Sequence, residues 1–217
     1  MSHSPEPPHA LEWTDELVQR FWDLFAASPL TFMSFSRQIR DKLAAHVQAI
    51  VPPGKRILDF GAGDGDLAEA LLDAGYTVGV YEQSTERTGT AHARLAGRPG
   101  FLGSVHAEDG HSFDAVCAFE VLEHVLAHQV DDTLCTIRHF LEPGGIFLGT
   151  VPRDENLLHR QCICPQCGVM FHRWQHVRSF DEQTLHDFLQ QGGFAHIRIA
   201  ETDFSNSLAF TALPDRR

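Results

Sequence analysis

Apolar residues along this chain fall first at helical spacing, and then in short runs separated by further helical stretches. Leu11, Trp13, Leu17, Val18, Phe21, Trp22, Leu24 and Phe25 trace one face of an amphipathic helix over 11–27. Thr14 with Asp15 supplies a cap near its start. A second helix is predicted over 34–50, stopped by Pro52, Pro53 and Gly54. Continuous apolar runs then predict strands at 56–60, 76–81, 101–105, 113–119 and 146–151, with helices at 67–74, 85–95 and 131–141 between them. After a Cys/His-rich stretch, a helix is predicted at 181–191, capped by Ser179 or Asp181 and stopped by Gly192 and Gly193. Strands at 195–200 and 208–213 close the chain as an antiparallel pair. Residues 1–10 hold three prolines and little to bury, so they are expected to be disordered.

Strands alternating with helices through short loops predict an α/β fold: a doubly wound, mostly parallel, Rossmann-like sheet with an antiparallel terminal pair and N-terminal helices. The length of 217 residues suits one domain over 11–217, with helices in 11–50 and a Cys/His-rich insert in 152–180. The N-terminal helices either pack against the sheet or form a lid over the site. Ligands are expected at the carboxyl ends of the strands.

One such end carries Asp59-Phe60-Gly61-Ala62-Gly63-Asp64-Gly65, between an apolar strand and an apolar-periodic helix. Glycines there allow positive φ and let a ligand approach bare backbone. A dinucleotide fingerprint asks for G-x-G-x-x-G/A, which from Gly61 would put Asp66 at the third small position. The pattern is instead D-x-G-x-G-x-G. Three more motifs follow in order: Glu82 after the second strand, Phe119-Glu120-Val121-Leu122-Glu123-His124 after the fourth, and Leu141-Glu142-Pro143-Gly144-Gly145 turning into the fifth. Together they resemble the class I S-adenosylmethionine-dependent methyltransferases of small-molecule type, similar to the ubiquinone-pathway O-methyltransferases.

The resemblance implies that S-adenosylmethionine is the cofactor. It places the cofactor's methionine part against Asp59, Phe60, Gly61, Ala62, Gly63 and Gly65, with Asp59 accepting from the ammonium group. It places the ribose hydroxyls against Glu82 and Gln83, and the sulfonium beside Phe119 and Glu120. Adenine contacts stay open among Ser104, His106, Glu108 and Asp109. Methyl transfer from a sulfonium needs mainly alignment. A hydroxyl acceptor also calls for a general base, for which His124 is the first candidate by position; the same histidine could instead only pack the loop.

The insert adds a second chemistry. Cys164 and Cys167 form C-x-x-C, and His172 and His176 follow four residues apart. These four supply the ligand types of a closed structural zinc site; free cysteines, with the histidines serving elsewhere as bases, are the other reading. Arg173 or Arg178 in this stretch would pair an anionic group on a substrate.

A formal charge of -12 argues against a nucleic-acid or anionic-membrane binder. No run approaches membrane-span length, and the N-terminus lacks a signal-peptide pattern, so a cytoplasmic setting is expected. The expected partner is a small-molecule methyl acceptor, with the acceptor atom and the oligomeric state left open. Two rivals remain: a nicotinamide-dependent oxidoreductase, disfavoured by Asp66, and a non-catalytic zinc-containing binding protein on the same fold.

Overall fold

The computed structural model describes residues 7–215. Three elements precede the main sheet. A two-residue strand β1 (His9–Ala10) leads into helix α1 (Asp15–Ala26), where the Thr14 hydroxyl accepts from Leu17 N–H at 3.3 Å. A 3₁₀ turn follows, and then α2 (Phe35–Ile50).

The winding then begins with β2 (Arg56–Phe60), α3 (Asp66–Asp73), β3 (Thr77–Tyr81), α4 (Thr85–Leu95) and β4 (Phe101–Ser104). It continues through β5 (Phe113–Phe119), α5 (Val130–Phe140) and β6 (Leu141–Pro152). The insert contributes a hairpin, β7 (Gln161–Ile163) and β8 (Val169–His172), before α6 (Glu182–Gln191), β9 (Phe194–Glu201) and β10 (Ser207–Pro214).

The seven-stranded sheet runs β4-β3-β2-β5-β6-β10-β9, with only the β10 pairings antiparallel. The doubly wound fold expected from the pattern is therefore present. Both faces are covered, which explains why the central strands read as unbroken apolar runs. On β2, Ile57 packs with Leu43, Val47 and Leu71 under α2 and α3. Its neighbour Leu58 faces the other way, toward Phe140, Leu185 and Phe210 beneath α5 and α6.

The chain leaves β2 in one direction through β3 and β4, then returns to lay β5 on the other side of β2. That reversal opens a crevice beyond Phe60 and Phe119, where such sheets bind ligands.

Two expectations change. Residues 9 and 10 are not free: they pair in parallel with Val169 and Met170, making a three-stranded sheet β1-β8-β7. The pairing uses backbone groups, which leave no side-chain signature. The rest of the expected disordered tail, residues 1–6, lies outside the described residues. The fifth strand also begins earlier than expected, at Leu141, with a register shift opposite Phe113 and Ala115 where Gly144 turns at φ 88°.

Candidate active site

A cavity of about 530 Å³ occupies the crevice. Its floor is the turn after β2. Gly61 N–H donates to the Tyr81 carbonyl at 2.7 Å, which holds the turn against the end of β3. Gly61 has φ 77°, and a Cβ there would meet Val121 Cγ2 at 2.6 Å. Glu82 spans the floor, accepting from Gly63 N–H at 2.7 Å and Ser84 N–H at 2.9 Å. These bonds fix the carboxylate at the cavity wall and leave each oxygen a further lone pair. Asp59 is 4 % exposed and its Oδ2 has no partner. Burial pushes its carboxyl up to about 7.

Helix α1 supplies the roof. Val18, Trp22 and Phe25 line the cavity, and Met33 and Phe35 extend the apolar wall. Trp22 is held from three sides: its indole N–H donates to Gln175 Oε1 at 3.2 Å, its face carries the Arg87 guanidinium at 5.1 Å, and its ring stands perpendicular to that of His124 at 5.1 Å between centres. Arg87 itself pairs with Asp64 at 3.4 Å, in space left by the missing Cβ of Gly63. Of the N-terminal helices, α2 packs against α3 and reaches the cavity only with its first turn, whereas α1 lines it with Val18, Trp22 and Phe25.

Beyond β5, Glu120 and Glu123 stand with Glu155, His124 and His176 in one corner. Glu120 takes φ 54°, accepts from the Thr150 hydroxyl at 2.8 Å, and is pushed up to about 7 by burial. Glu123 is fully buried, and burial with Glu120 nearby raises its carboxyl well above the usual range. Burial, and then the neighbouring His176, hold His124 well below the usual imidazole range. His176 is lowered by burial too, against the pull of Glu155, whose carboxylate is hydrogen-bonded to His176 Nδ1. The corner therefore holds unprotonated imidazoles at neutral pH. Gln175 ties it to the roof: its Nε2 donates to the His124 carbonyl at 3.0 Å, and its own backbone sits at φ 63°.

Asp59, Phe60, Gly61, Ala62, Glu82, Gln83, Phe119, Glu120 and His124 share this cavity, and with them His176, which the expected zinc set had claimed. Gly63 and Gly65 shape the turn behind it; Gly65 caps α3 at φ 79° against Ala91 and Leu95. Ser104, His106, Glu108 and Asp109 do not line it. The 3₁₀ turn after β4 engages two of these four, with the Asp109 carboxylate accepting from His106 N–H at 2.7 Å. Trp22, Arg87, Glu155 and Gln175 were not anticipated. They sit in helical or irregular stretches whose spacing carries no chemical motif, and only the φ of Gln175 is unusual.

The expected zinc set is not assembled. Cys164 and Cys167 turn back on each other at the tip of the β7–β8 hairpin, with Gly168 N–H bonded to the Cys164 carbonyl at 2.9 Å. N–H groups of Cys167 and Gln166 lower the Cys164 thiol. His172 and His176 lie at and beyond the far end of β8, against Glu155. Among the described residues, no cluster of three potential ligands contains a cysteine. The pairing of β7 with β8 is the physical cause, because an extended strand separates what a compact knuckle would have joined. The four-residue spacing of the histidines is also not helical: His176 N–H donates to His172 Nδ1 at 3.1 Å across a turn. Of the two candidate arginines, Arg173 reaches the cavity and lies over Trp174 at 4.7 Å. Arg178 is spent on the Val125 carbonyl and the face of Phe188.

A family model described as a methyltransferase domain matches residues 35–199. A ubiquinone biosynthesis O-methyltransferase of Sinorhizobium medicae is 33% identical over 156 residues, 66% of this chain and 60% of that protein. One from Rhizobium etli is 36% identical over 127 residues, 53% of this chain and 50% of that protein. The chain thus spans about 60% of the length of the first of these curated relatives and half of the other.

Two solved structures share the fold. The complex of DhpI with SAH superposes with a TM-score of 0.70 at 17% identity, covering 93% of this chain and 97% of that one. The 1,6-didemethyltoxoflavin-N1-methyltransferase of Burkholderia thailandensis, with 1,6-didemethyltoxoflavin and S-adenosylhomocysteine bound, gives 0.68 at 20% identity over 98% and 94%.

Proposed function

Because the chain belongs to the methyltransferase-domain family, we propose that it moves a methyl group from S-adenosylmethionine to a hydroxyl of an aromatic small molecule. The observation that carries this reading is a single cavity walled by the glycine turn, Glu82, an aromatic roof and a corner of unprotonated histidines.

The donor's ammonium group is assigned to Asp59, whose unpartnered Oδ2 is the acceptor it needs. Its carboxylate is assigned to Arg87, and its ribose diol to the free lone pairs of Glu82. The acceptor lies under Trp22, Phe25 and Trp174, between the sulfonium and the His124 corner. The O-methylation in the relatives' names and these aromatic walls both favour an aryl hydroxyl. Arg160 and Arg173 at the rim fit an anionic substituent on it.

In the reaction the S–CH₃ bond breaks as the O–CH₃ bond forms, and the sulfonium leaves as a neutral thioether. Alignment supplies most of the acceleration. The imidazole lone pairs of His124 and His176 give the corner the means to draw the proton from the oxygen. No helix among the described residues is long and apolar enough to cross a membrane. All five cysteines are free, which suits a reducing, cytoplasmic setting.

The test is calorimetric titration with S-adenosylmethionine and S-adenosylhomocysteine, using NAD as control. Micromolar binding of the first two, lost in Gly63→Arg and weakened in Glu82→Ala, is expected. Absence of binding to folded protein would overturn the reading.

A further inference from the structure

Two arginines stand directly opposite each other where the insert's hairpin meets the cavity. Gln161 faces His172 across β7 and β8, so Arg160 and Arg173 form the next pair, and Arg173 N–H donates to the Arg160 carbonyl at 2.9 Å. Like charges placed opposite one another in this way are destabilising. Both residues line the cavity, and among the described residues neither side chain has an ion-pair partner. Acids are not scarce in this chain, which holds 29 of them against 17 basic residues. Arg37, Arg40, Arg87, Arg94, Arg98 and Arg153 each meet a carboxylate. Glu155 shares the cavity with the arginine pair but faces His172 and His176 instead. The fold thus keeps a costly pair of positive charges at the acceptor wall and leaves it uncompensated.

The pair is also set in place. The Arg173 guanidinium lies over the Trp174 ring at 4.7 Å, and Trp174 packs against Phe25 of the roof at 6.2 Å between centres. Stacking occupies the flat face of a guanidinium and leaves its N–H edge for a planar oxyanion. Burial lowers His172 and His176, and the positive charge of Arg160 lowers both further. That charge therefore stands beside the histidine corner.

We infer that Arg160 and Arg173 clamp a carboxylate carried by the methyl acceptor, so that the insert selects aromatic acids over their neutral counterparts. Held between the two guanidiniums, the carboxylate accepts charge-assisted hydrogen bonds from both and offsets their mutual repulsion. A phosphate ester suits the place less well, because its second charge would stand against Glu155 and a net charge of -12. The acceptor's ring then lies under Trp22, Phe25 and Trp174, with its hydroxyl toward His124 and His176. The use of the clamp rests on the methyl-transfer reading; its affinity for the anion does not.

The experiment measures binding by calorimetry, with and without saturating S-adenosylhomocysteine. The probes are protocatechuate, its neutral amide and catechol monophosphate. The parent should bind the carboxylate at least about tenfold tighter than the amide, and added NaCl should narrow the difference. Kd for protocatechuate should weaken about tenfold in Arg160→Gln and in Arg173→Gln. Arg173→Lys, which keeps the charge without the fork, should fall between parent and Arg173→Gln. In Arg160→Gln/Arg173→Gln the carboxylate and the amide should bind alike. Arg198→Gln removes the same charge from an exposed position outside the cavity and should change nothing. Circular dichroism on every variant separates loss of the clamp from loss of the fold. No saturable binding of protocatechuate would overturn the inference, as would equal binding of acid and amide by the parent. So would a preference that survives the double variant or disappears in Arg198→Gln, and so would tighter binding of the phosphate. S-adenosylmethionine is titrated separately into the same proteins. Carboxylate preference without donor binding would sink the methyl-transfer reading alone, and donor binding without the preference would sink the clamp alone. A donor Kd that weakens in the double variant would give the arginines to the donor and end the proposal.

Discussion

The two ends of the cavity are built by different means. The end proposed for the donor rests on backbone: a glycine turn bonded to the end of β3, and a carboxylate fixed by two N–H groups. The end proposed for the acceptor is made of side chains from four distant segments, namely α1, the loop after β5, Glu155 and residues 173–176. A backbone site needs particular residues at fixed spacing, and it tolerates little. A side-chain site needs only that the fold bring the right groups together. Substitutions at the donor end should therefore be severe and specific to the cofactor, while those at the acceptor end should be graded.

The largest effect is expected from Gly61→Val. Its φ of 77° is strained for a residue with a Cβ, by about 1–2 kcal/mol. Val121 also blocks the added atoms at 2.6 Å from the Cβ. Together these should weaken S-adenosylmethionine binding by roughly 100-fold, about 2.7 kcal/mol, measured by calorimetry. A change below tenfold would mean that the turn does not set the donor site.

Next comes the pH dependence of donor binding. Asp59 titrates near 7 in the folded protein, well above the ordinary carboxylate value of 3.8. Folding therefore binds a proton at this group, and the stability Asp59 contributes is lost as pH rises from about 3.8 to 7. A cationic ammonium needs the ionised form, so donor binding has the opposite trend. Raising the pH from 6 to 8 should tighten binding roughly tenfold, and Asp59→Asn should flatten the profile. A slope that persists in the variant would move the titration to another group.

The same contrast explains what could be read from the sequence. Asp59, Gly61 and Glu82 were legible because backbone geometry demands their residue types at fixed intervals after strands that announce themselves by pattern. The order of strands followed for the same reason. The place of α1 against the cavity was only half legible: apolar spacing marks the face of Trp22 and Phe25, but not what that face covers. Glu155 and Gln175 were invisible, since a lone Glu and a lone Gln in irregular chain carry no periodic signal. The zinc expectation erred because spacing alone cannot distinguish a compact knuckle from a hairpin. The hairpin won through the pairing of Cys162 with Phe171 and the docking of His9–Ala10 on β8. His172 and His176 face Glu155 instead.

At the acceptor end, Trp22→Ala should have a moderate effect. It removes the ring contact with His124, the platform under Arg87 and the bond to Gln175. Aromatic contacts of this kind contribute about 1 kcal/mol, so acceptor KM should rise roughly fivefold. Donor Kd should change less. If donor binding falls more than acceptor binding, α1 belongs with the cofactor and the division drawn here fails.

The smallest effect is expected where the sequence drew most attention. Cys164 and Cys167 sit at an exposed hairpin tip, and the turn around them is held by backbone bonds from Cys164 N–H to Val169 and from Gly168 N–H to Cys164. Serine at both positions keeps those bonds and removes only the thiols. Chemical denaturation should therefore change by less than about 0.5 kcal/mol, and both KM values should stay put. A loss of several kcal/mol, rescued by added zinc in the parent but not in the variant, would show that the tip recruits a metal with help from another chain. The hairpin would then be a second built site in place of a strut for the acceptor wall.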